Sequence, residues 1–221
     1  MATRFRCLLI DHDDTAVNST AAVHYPAHLE ALRLMRPGRT PPTLEQWLGW
    51  NFHPGIMEYL VGELGMSDQE LRREYEIWRS FTTSRSPGFF PGFLEVLRDF
   101  RASGGRVAVI SHSEKDVIED HYRRAAVPGS HPDLVFGWVE DAARRKPSPW
   151  PVLEALREFN ALPQDALILD DLKPGVLMSR ATGVPVAAAG WSHAIPAIET
   201  YMRANCVAYF SRVEDFRDFI L

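Results

Sequence analysis

The sequence is short of several features that would place it in specialised protein classes. Its two cysteines, Cys7 inside an apolar run and Cys206 near the end, are too few and too far apart for a disulfide framework or a cysteine-rich metal site, which fits a reducing compartment. No apolar stretch approaches membrane-spanning length. Residues 1–10 are too short, and too quickly followed by acids, to read as a secretory signal, so cytoplasmic residence is expected. Neither sign of charge forms a block: 29 acidic and 24 basic residues give a net charge of −5, which offers no footprint for nucleic acid or an anionic membrane. Small molecules are the expected partners. Lysine is scarce, with Lys115, Lys146 and Lys173 its three positions, and there is no internal repeat or low-complexity tract.

What the chain does have is apolar mass. Hydrophobic residues make up 46% of it and aromatics 11%, enough for a large core without disulfides or structural metal. At 221 residues, two compact units are expected. Short apolar runs at 7–10, 107–110, 134–139, 166–169 and 185–189 read as buried strands of a parallel sheet. Helical patterns at 93–102, 117–126, 151–159 and 176–181 alternate with them, the signature of an α/β, Rossmann-like core. From about Ser19 to Phe90 the rhythm breaks, leaving amphipathic helical stretches and no convincing strand. The expected organisation is a core of residues 1–18 and 90–221 with an inserted all-helical domain at 19–89. One helix of the insertion has a clear start, because Ser67-Asp68-Gln69-Glu70 fits a capping box.

In an open parallel sheet ligands bind beyond the carboxyl ends of the strands. Here the first run ends in Asp11-His12-Asp13-Asp14-Thr15, the second in Ser111-His112-Ser113 and the fourth in Asp170-Asp171, while Lys146 precedes a helix start in Lys146-Pro147-Ser148-Pro149. Crowded carboxylates repel one another, and a hard divalent cation such as Mg²⁺ relieves this by taking oxygen ligands. A hydroxyl and an ammonium beside that cation suit a transferring phosphoryl group. Taken singly, each piece has a plainer reading: a solvated Asp-x-Asp turn, a serine cap, a surface lysine, an acid pair at a helix N-terminus. Their joint order at successive strand ends favours phosphoryl-transfer chemistry.

This order resembles the haloacid dehalogenase-like (HAD) superfamily, and most closely its phosphatases with a helical cap inserted after the first motif. An apolar strand followed by D-x-D-G-T matches Ile10–Thr15, with Asn18-Ser19 where the family often has a D-S pair. The second motif falls on Ser111, the K-P-x-P motif on Lys146–Pro149, and the acid pair followed by glycine on Asp170, Asp171 and Gly175. The resemblance implies that Asp11 attacks phosphorus to form an aspartyl phosphate and that Asp13 protonates the leaving oxygen and then activates water. It also implies that Ser111 holds a phosphoryl oxygen, that Lys146 neutralises charge, and that Asp11, the Asp13 carbonyl and Asp171, helped by Asp170, bind Mg²⁺. His112, with Asn51 and His53 of the insertion, is expected to contact the substrate, a small phosphorylated metabolite, in a monomer or homodimer.

Asp14 stands where the family has glycine, either capping the turn or facing a cationic substrate group, and His12 is expected to be structural. Dehalogenation leaves Asp13 without a task, since halide departs without a proton. Phosphonate cleavage asks for a cap lysine that is absent. A sugar phosphomutase similar to β-phosphoglucomutase is the enzymatic alternative, though Val23 occupies the position of its cap histidine, with His24 one residue later. A binding or regulatory protein that keeps the fold without catalysis is the alternative from another class.

Overall fold

The computed structural model describes residues 3–221, which divide into two compact units, one formed by the chain up to Val17 with Phe89–Leu221 and the other by Asn18–Gly88. The larger unit carries six strands: β1 (Cys7–Ile10), β2 (Arg106–Ile110), β3 (Leu134–Phe136), β4 (Ala166–Asp170), β5 (Val186–Ala189) and β6 (Ala208–Phe210). They form one sheet in the order β3-β2-β1-β4-β5-β6, every pair parallel. β1 is therefore central, and the order turns back on either side of it, so β2, β1 and β4 present adjacent carboxyl ends.

The reason these strands read as continuous apolar runs is visible in their burial. Leu8, Ile10, Val107, Val109, Leu167, Leu169, Ala187 and Ala189 share a core with residues of other elements, while the alternating Cys7, Leu9, Ala108, Ile168 and Ala188 are equally buried. A strand covered on both faces has no polar face to display.

The helical unit, 18–88, holds α1 (Tyr25–Met35), α2 (Leu44–Phe52), the short α3 (Ile56–Glu58) and α4 (Asp68–Ser84), with π-helical turns at Thr20–His24 and Tyr59–Glu63. Its core is Leu32, Trp47, Tyr59, Leu60, Leu64 and Met66. Ser67 and Glu70 form the expected capping box, and Thr43 with Gln46 forms a second one at the start of α2. The larger unit adds α5 (Phe93–Ala102), α6 (Lys115–Ala125), α7 (Trp150–Phe159), α8 (Lys173–Thr182), α9 (Pro196–Asn205) and α10 (Val213–Ile220). α7 lies against β1 and β2, α8 against β4 and β5, and the apolar stripes of α5 and α10 enter the core with Phe93, Leu97, Phe100, Phe216 and Ile220.

Three differences from the sequence reading have physical causes. β3 stops at Phe136 instead of reaching 139, because Gly137 lies so close to the Lys115 and Ser113 backbone that any Cβ would collide, and Trp138 N–H then donates to the Ser113 carbonyl. β6, α9 and α10 escaped the sequence reading: β6 has three residues, too few to set an apolar period. Trp50-Asn51-Phe52-His53, a polar-aromatic cluster that the sequence suggests as a substrate-facing loop, instead closes α2, and Trp50 stacks on Tyr59 with ring centroids 4.1 Å apart.

The capping box on α4 gives a stability prediction for the helical unit. Ser67→Ala removes the acceptor for the Glu70 N–H and should cost about 0.5–2 kcal/mol. Faster amide hydrogen exchange in the first turn of α4 and a lower unfolding midpoint in urea are the expected readouts. An unchanged exchange pattern would show that the cap contributes nothing.

Candidate functional site

The chain leaves β1 through a tight turn. Asp11 N–H still donates to Leu169 O at 2.9 Å, extending the ladder to β4 by one residue. Then the Ala16 and Val17 N–H groups both donate to the His12 carbonyl, and Asp14 N–H donates to Val17 O at 2.8 Å. This turn needs a left-handed residue, and Asp14 takes that conformation at φ +56°. A short polar side chain tolerates it better than most, which explains how aspartate can stand in the usual glycine position. His12 is fully buried, with Nε2 2.9 Å from His121 Nδ1 on α6, in keeping with a structural role.

Lys146 arrives from the loop before α7 and is itself buried. Its Nζ lies 2.8 Å from Asp11 Oδ1 and 2.6 Å from Asp170 Oδ2, so one ammonium bridges the ends of β1 and β4. The second oxygen of Asp170 accepts from Leu172 N–H at 2.9 Å. Gly175 on α8 makes this possible: a Cβ there would sit 2.3 Å from Asp170 Cβ, so only glycine lets the helix pass so close. Thr15 Oγ1 is 3.3 Å from Asp11 Oδ2 and 3.5 Å from Asp171 Oδ1, and its one proton serves one carboxylate at a time. From the end of β2, Ser111 Oγ donates to Asp13 Oδ2 at 3.0 Å and accepts from Ser113 N–H.

The electrostatics are unbalanced. Burial pushes the Asp11 carboxyl well above the ordinary range; Lys146 opposes this, while Asp170, Asp171 and Asp13 add to it. Burial does the same to Asp171, reinforced by Asp170 and Asp14. Burial also works against the Lys146 charge, but Asp11 and Asp170 outweigh it and hold the ammonium above the usual lysine value. Lys146 is thus a fixed cation facing an excess of carboxylates. Asp11, Asp170 and Asp171 each offer an oxygen within 4.8 Å of the others. A buried all-oxygen, net-negative cluster fits a hard divalent cation, which would supply the missing positive charge.

Asp11, Asp170, Asp171 and Lys146 therefore converge, and Asp13 and Ser111 are joined to each other. His112 is placed differently from a simple substrate contact: its Nε2 lies 2.9 Å from the Lys146 carbonyl, which can only accept. His112 is an exposed residue, yet the surrounding protein and then the Lys146 cation lower it to about 4, which favours the neutral ring at neutral pH. The nitrogen left for a ligand is Nδ1, an acceptor. Asn51 and His53 belong to the helical unit, where Asn51 Nδ2 donates to the Trp47 carbonyl at 2.8 Å and His53 ends α2.

Two further neighbours come from Gly190-Trp191-Ser192-His193, a segment whose place at the carboxyl end of the last long apolar run lets the sequence expect it near the site. The Trp191 indole N–H donates to Thr15 O at 3.1 Å, and His193 Nε2 lies 3.5 Å from Asp171 Oδ2. Both follow β5 by a few residues, the position that points to them in the sequence.

Comparison with known proteins gives the family. Residues 8–189 match the family model described as haloacid dehalogenase-like hydrolase. The phosphoglycolate phosphatase of Nitrosospira multiformis is 25% identical over 183 residues, 80% of each chain, and that of Thiobacillus denitrificans is 23% identical over 186 residues, 82% of this chain and 81% of its own. Among solved structures, a haloacid dehalogenase-like family hydrolase from Streptococcus pneumoniae superposes with a TM-score of 0.78 at 17% identity, covering 98% of both chains. With more than half its length matched by that family model, and with the acids and lysine gathered at the ends of β1 and β4, the chain belongs to the haloacid dehalogenase-like hydrolase family.

Proposed function

We propose that this protein is a Mg²⁺-dependent phosphatase that hydrolyses a small phosphate monoester through a phosphorylated Asp11. The observation that carries the reading is the buried Lys146 bridge to Asp11 and Asp170, set beside Asp171 and within reach of an acid, Asp13, that is held by Ser111. Asp11, Asp171 and the Asp13 backbone carbonyl would hold the metal. When bound, the cation neutralises charge on the nucleophile and the phosphoryl oxygens. Asp170 is assigned chiefly to Lys146 and the Leu172 amide, since both of its oxygens are engaged there.

Each residue then has a task. An Asp11 carboxylate oxygen attacks phosphorus, the P–O bond to the alcohol breaks, and Asp13 gives its proton to the departing oxygen. Asp13 next takes a proton from water as that water attacks the aspartyl phosphate, which releases inorganic phosphate and restores Asp11. Lys146 keeps its proton throughout and offsets charge on the phosphoryl group, and Ser111 exchanges its bond to Asp13 for one to a phosphoryl oxygen. The phosphoglycolate phosphatases among the relatives, at 22–25% identity, make phosphoglycolate the first substrate to assay.

Hydrolysis of p-nitrophenyl phosphate should cease on chelation and return with added Mg²⁺; robust turnover in metal-free protein would contradict the metal assignment. Asp11→Asn should lose at least about 10²-fold in kcat, because an amide is a poor nucleophile and one anionic ligand is gone. A variant keeping a tenth of the rate would exclude Asp11 as nucleophile.

Asp13→Asn separates the steps. Its backbone carbonyl remains while proton transfer is lost, so phosphoryl transfer from an alkyl phosphate should fall by about 10²-fold or more. Transfer from an activated aryl phosphate such as p-nitrophenyl phosphate, whose leaving group departs without a proton, should fall much less. Equal losses in single-turnover measurements with the two substrates would rule out the general-acid role.

A further inference from the structure

The three carboxylates of the acidic cluster are not equally held. Asp11 and Asp170 share the Lys146 ammonium, and Asp170 also takes the Leu172 N–H. Asp171 has no direct bond to Lys146. Apart from its own backbone N–H, the groups able to donate to its oxygens within 3.5 Å, among the described residues, are the Thr15 hydroxyl, whose proton is contested by Asp11, and the His193 ring. A metal-binding carboxylate with so little to fix its rotation would have to be ordered when the ion arrives.

His193 is built to supply what is missing. Its side chain is 5% exposed, and neither ring nitrogen makes a hydrogen bond to another of the described residues, yet Nε2 stands 3.5 Å from Asp171 Oδ2. A buried imidazole without a partner costs free energy unless a nearby group completes it. The carboxylate can only accept, so the tautomer that satisfies both groups carries its proton on Nε2.

The segment that brings His193 here is anchored at two adjacent residues just before it, Gly190 and Trp191. Gly190 lies so close to the Tyr209 ring of β6 that any Cβ would fall 2.1 Å from it, and the Gly190 N–H donates to Phe210 O. Trp191 then ties the segment to the first turn through its bond to the Thr15 carbonyl, and its ring lies among Phe90, Phe93 and Phe216. Asp14, held at positive φ by that same turn, bears electrostatically on both Asp171 and His193. The aspartate in the usual glycine position thus acts on both the histidine and its carboxylate partner.

We propose that His193 is a positioning residue for the metal centre: its Nε2–H orients the Asp171 carboxylate for a divalent cation, on a segment pinned to the first turn by Trp191. The proposal rests on the metal reading above and adds a partner outside the ligand set. Groups that orient a metal ligand are typically worth 10- to 100-fold in metal affinity.

Mg²⁺ binding, followed by calorimetry and by the Mg²⁺-induced rise in Tm, tests this without any turnover. His193→Phe keeps a ring in the space but has no N–H, and should weaken Mg²⁺ binding about 10- to 100-fold. His193→Gln, whose amide nitrogen reaches about as far as Nε2, should recover most of the affinity, whereas His193→Asn, which mimics the nearer Nδ1, should not. Wild-type affinity in His193→Phe, or equal behaviour of the Gln and Asn variants, would overturn the proposal. Asp171→Ala is the control that keeps the two readings apart. If the unaltered protein binds no Mg²⁺, or Asp171→Ala binds it as tightly as the unaltered protein, the metal reading itself fails; if Asp171→Ala loses binding while His193→Phe does not, the role of His193 alone is excluded.

Discussion

The buried Lys146 ammonium, shared between Asp11 and Asp170, is the interaction on which the arrangement of the site depends. Taking three charges out of water costs several kcal/mol each, and their mutual attraction recovers this only when the contacts are short and the remaining polar atoms are satisfied. An apolar cluster of the same volume would serve stability as well or better. Removing the lysine alone is another matter, because two buried carboxylates would then face each other without compensation. Such a bridge is understandable as part of a chemical site: it fixes a cation beside a potential nucleophile whose own burial and acidic neighbours raise its proton affinity.

The sheet makes that bridge possible. With β1 between β2 and β4, Asp11, Ser111 and the Asp170-Asp171 pair leave adjacent strands at the same edge, although the sequence separates them by about a hundred and sixty residues. Close packing does the rest. Gly175 lets α8 approach Asp170, Gly137 lets the chain after β3 turn across the β2–α6 connection, and the left-handed Asp14 folds the first turn back toward Val17. Each of these positions lies within a few residues of a strand end, so the fold and the site draw on the same local features.

Those features differ in how plainly they show in the sequence. β1, β2, β4 and β5 announce themselves as apolar runs because both of their faces are buried, and the acids stand out because they end such runs. β6 is too short to set a period. Which of two adjacent acids meets the lysine is not written in the pair Asp170-Asp171 either; it follows from side-chain alternation at the end of β4, which turns Asp170 toward Lys146 and Asp171 toward Thr15 and His193. The commitment of His112 to the Lys146 carbonyl, and the approach of His193 to Asp171, are contacts between segments far apart in sequence. Spacing carries no trace of them.

The helical unit enters and leaves the chain at one junction. Its two ends meet: Asn18 N–H donates to Gly88 O at 3.0 Å, and on the other side of the junction Val17 bridges Phe89. Because the chain departs and returns at neighbouring points, residues 18–88 span no gap that the sheet has to bridge, and the register between β1 and its partners is indifferent to their length or composition. The helical unit has its own apolar core and its own capped helices, so it meets its stability requirements locally. The acids, the lysine and the serine at the strand ends all belong to the larger unit.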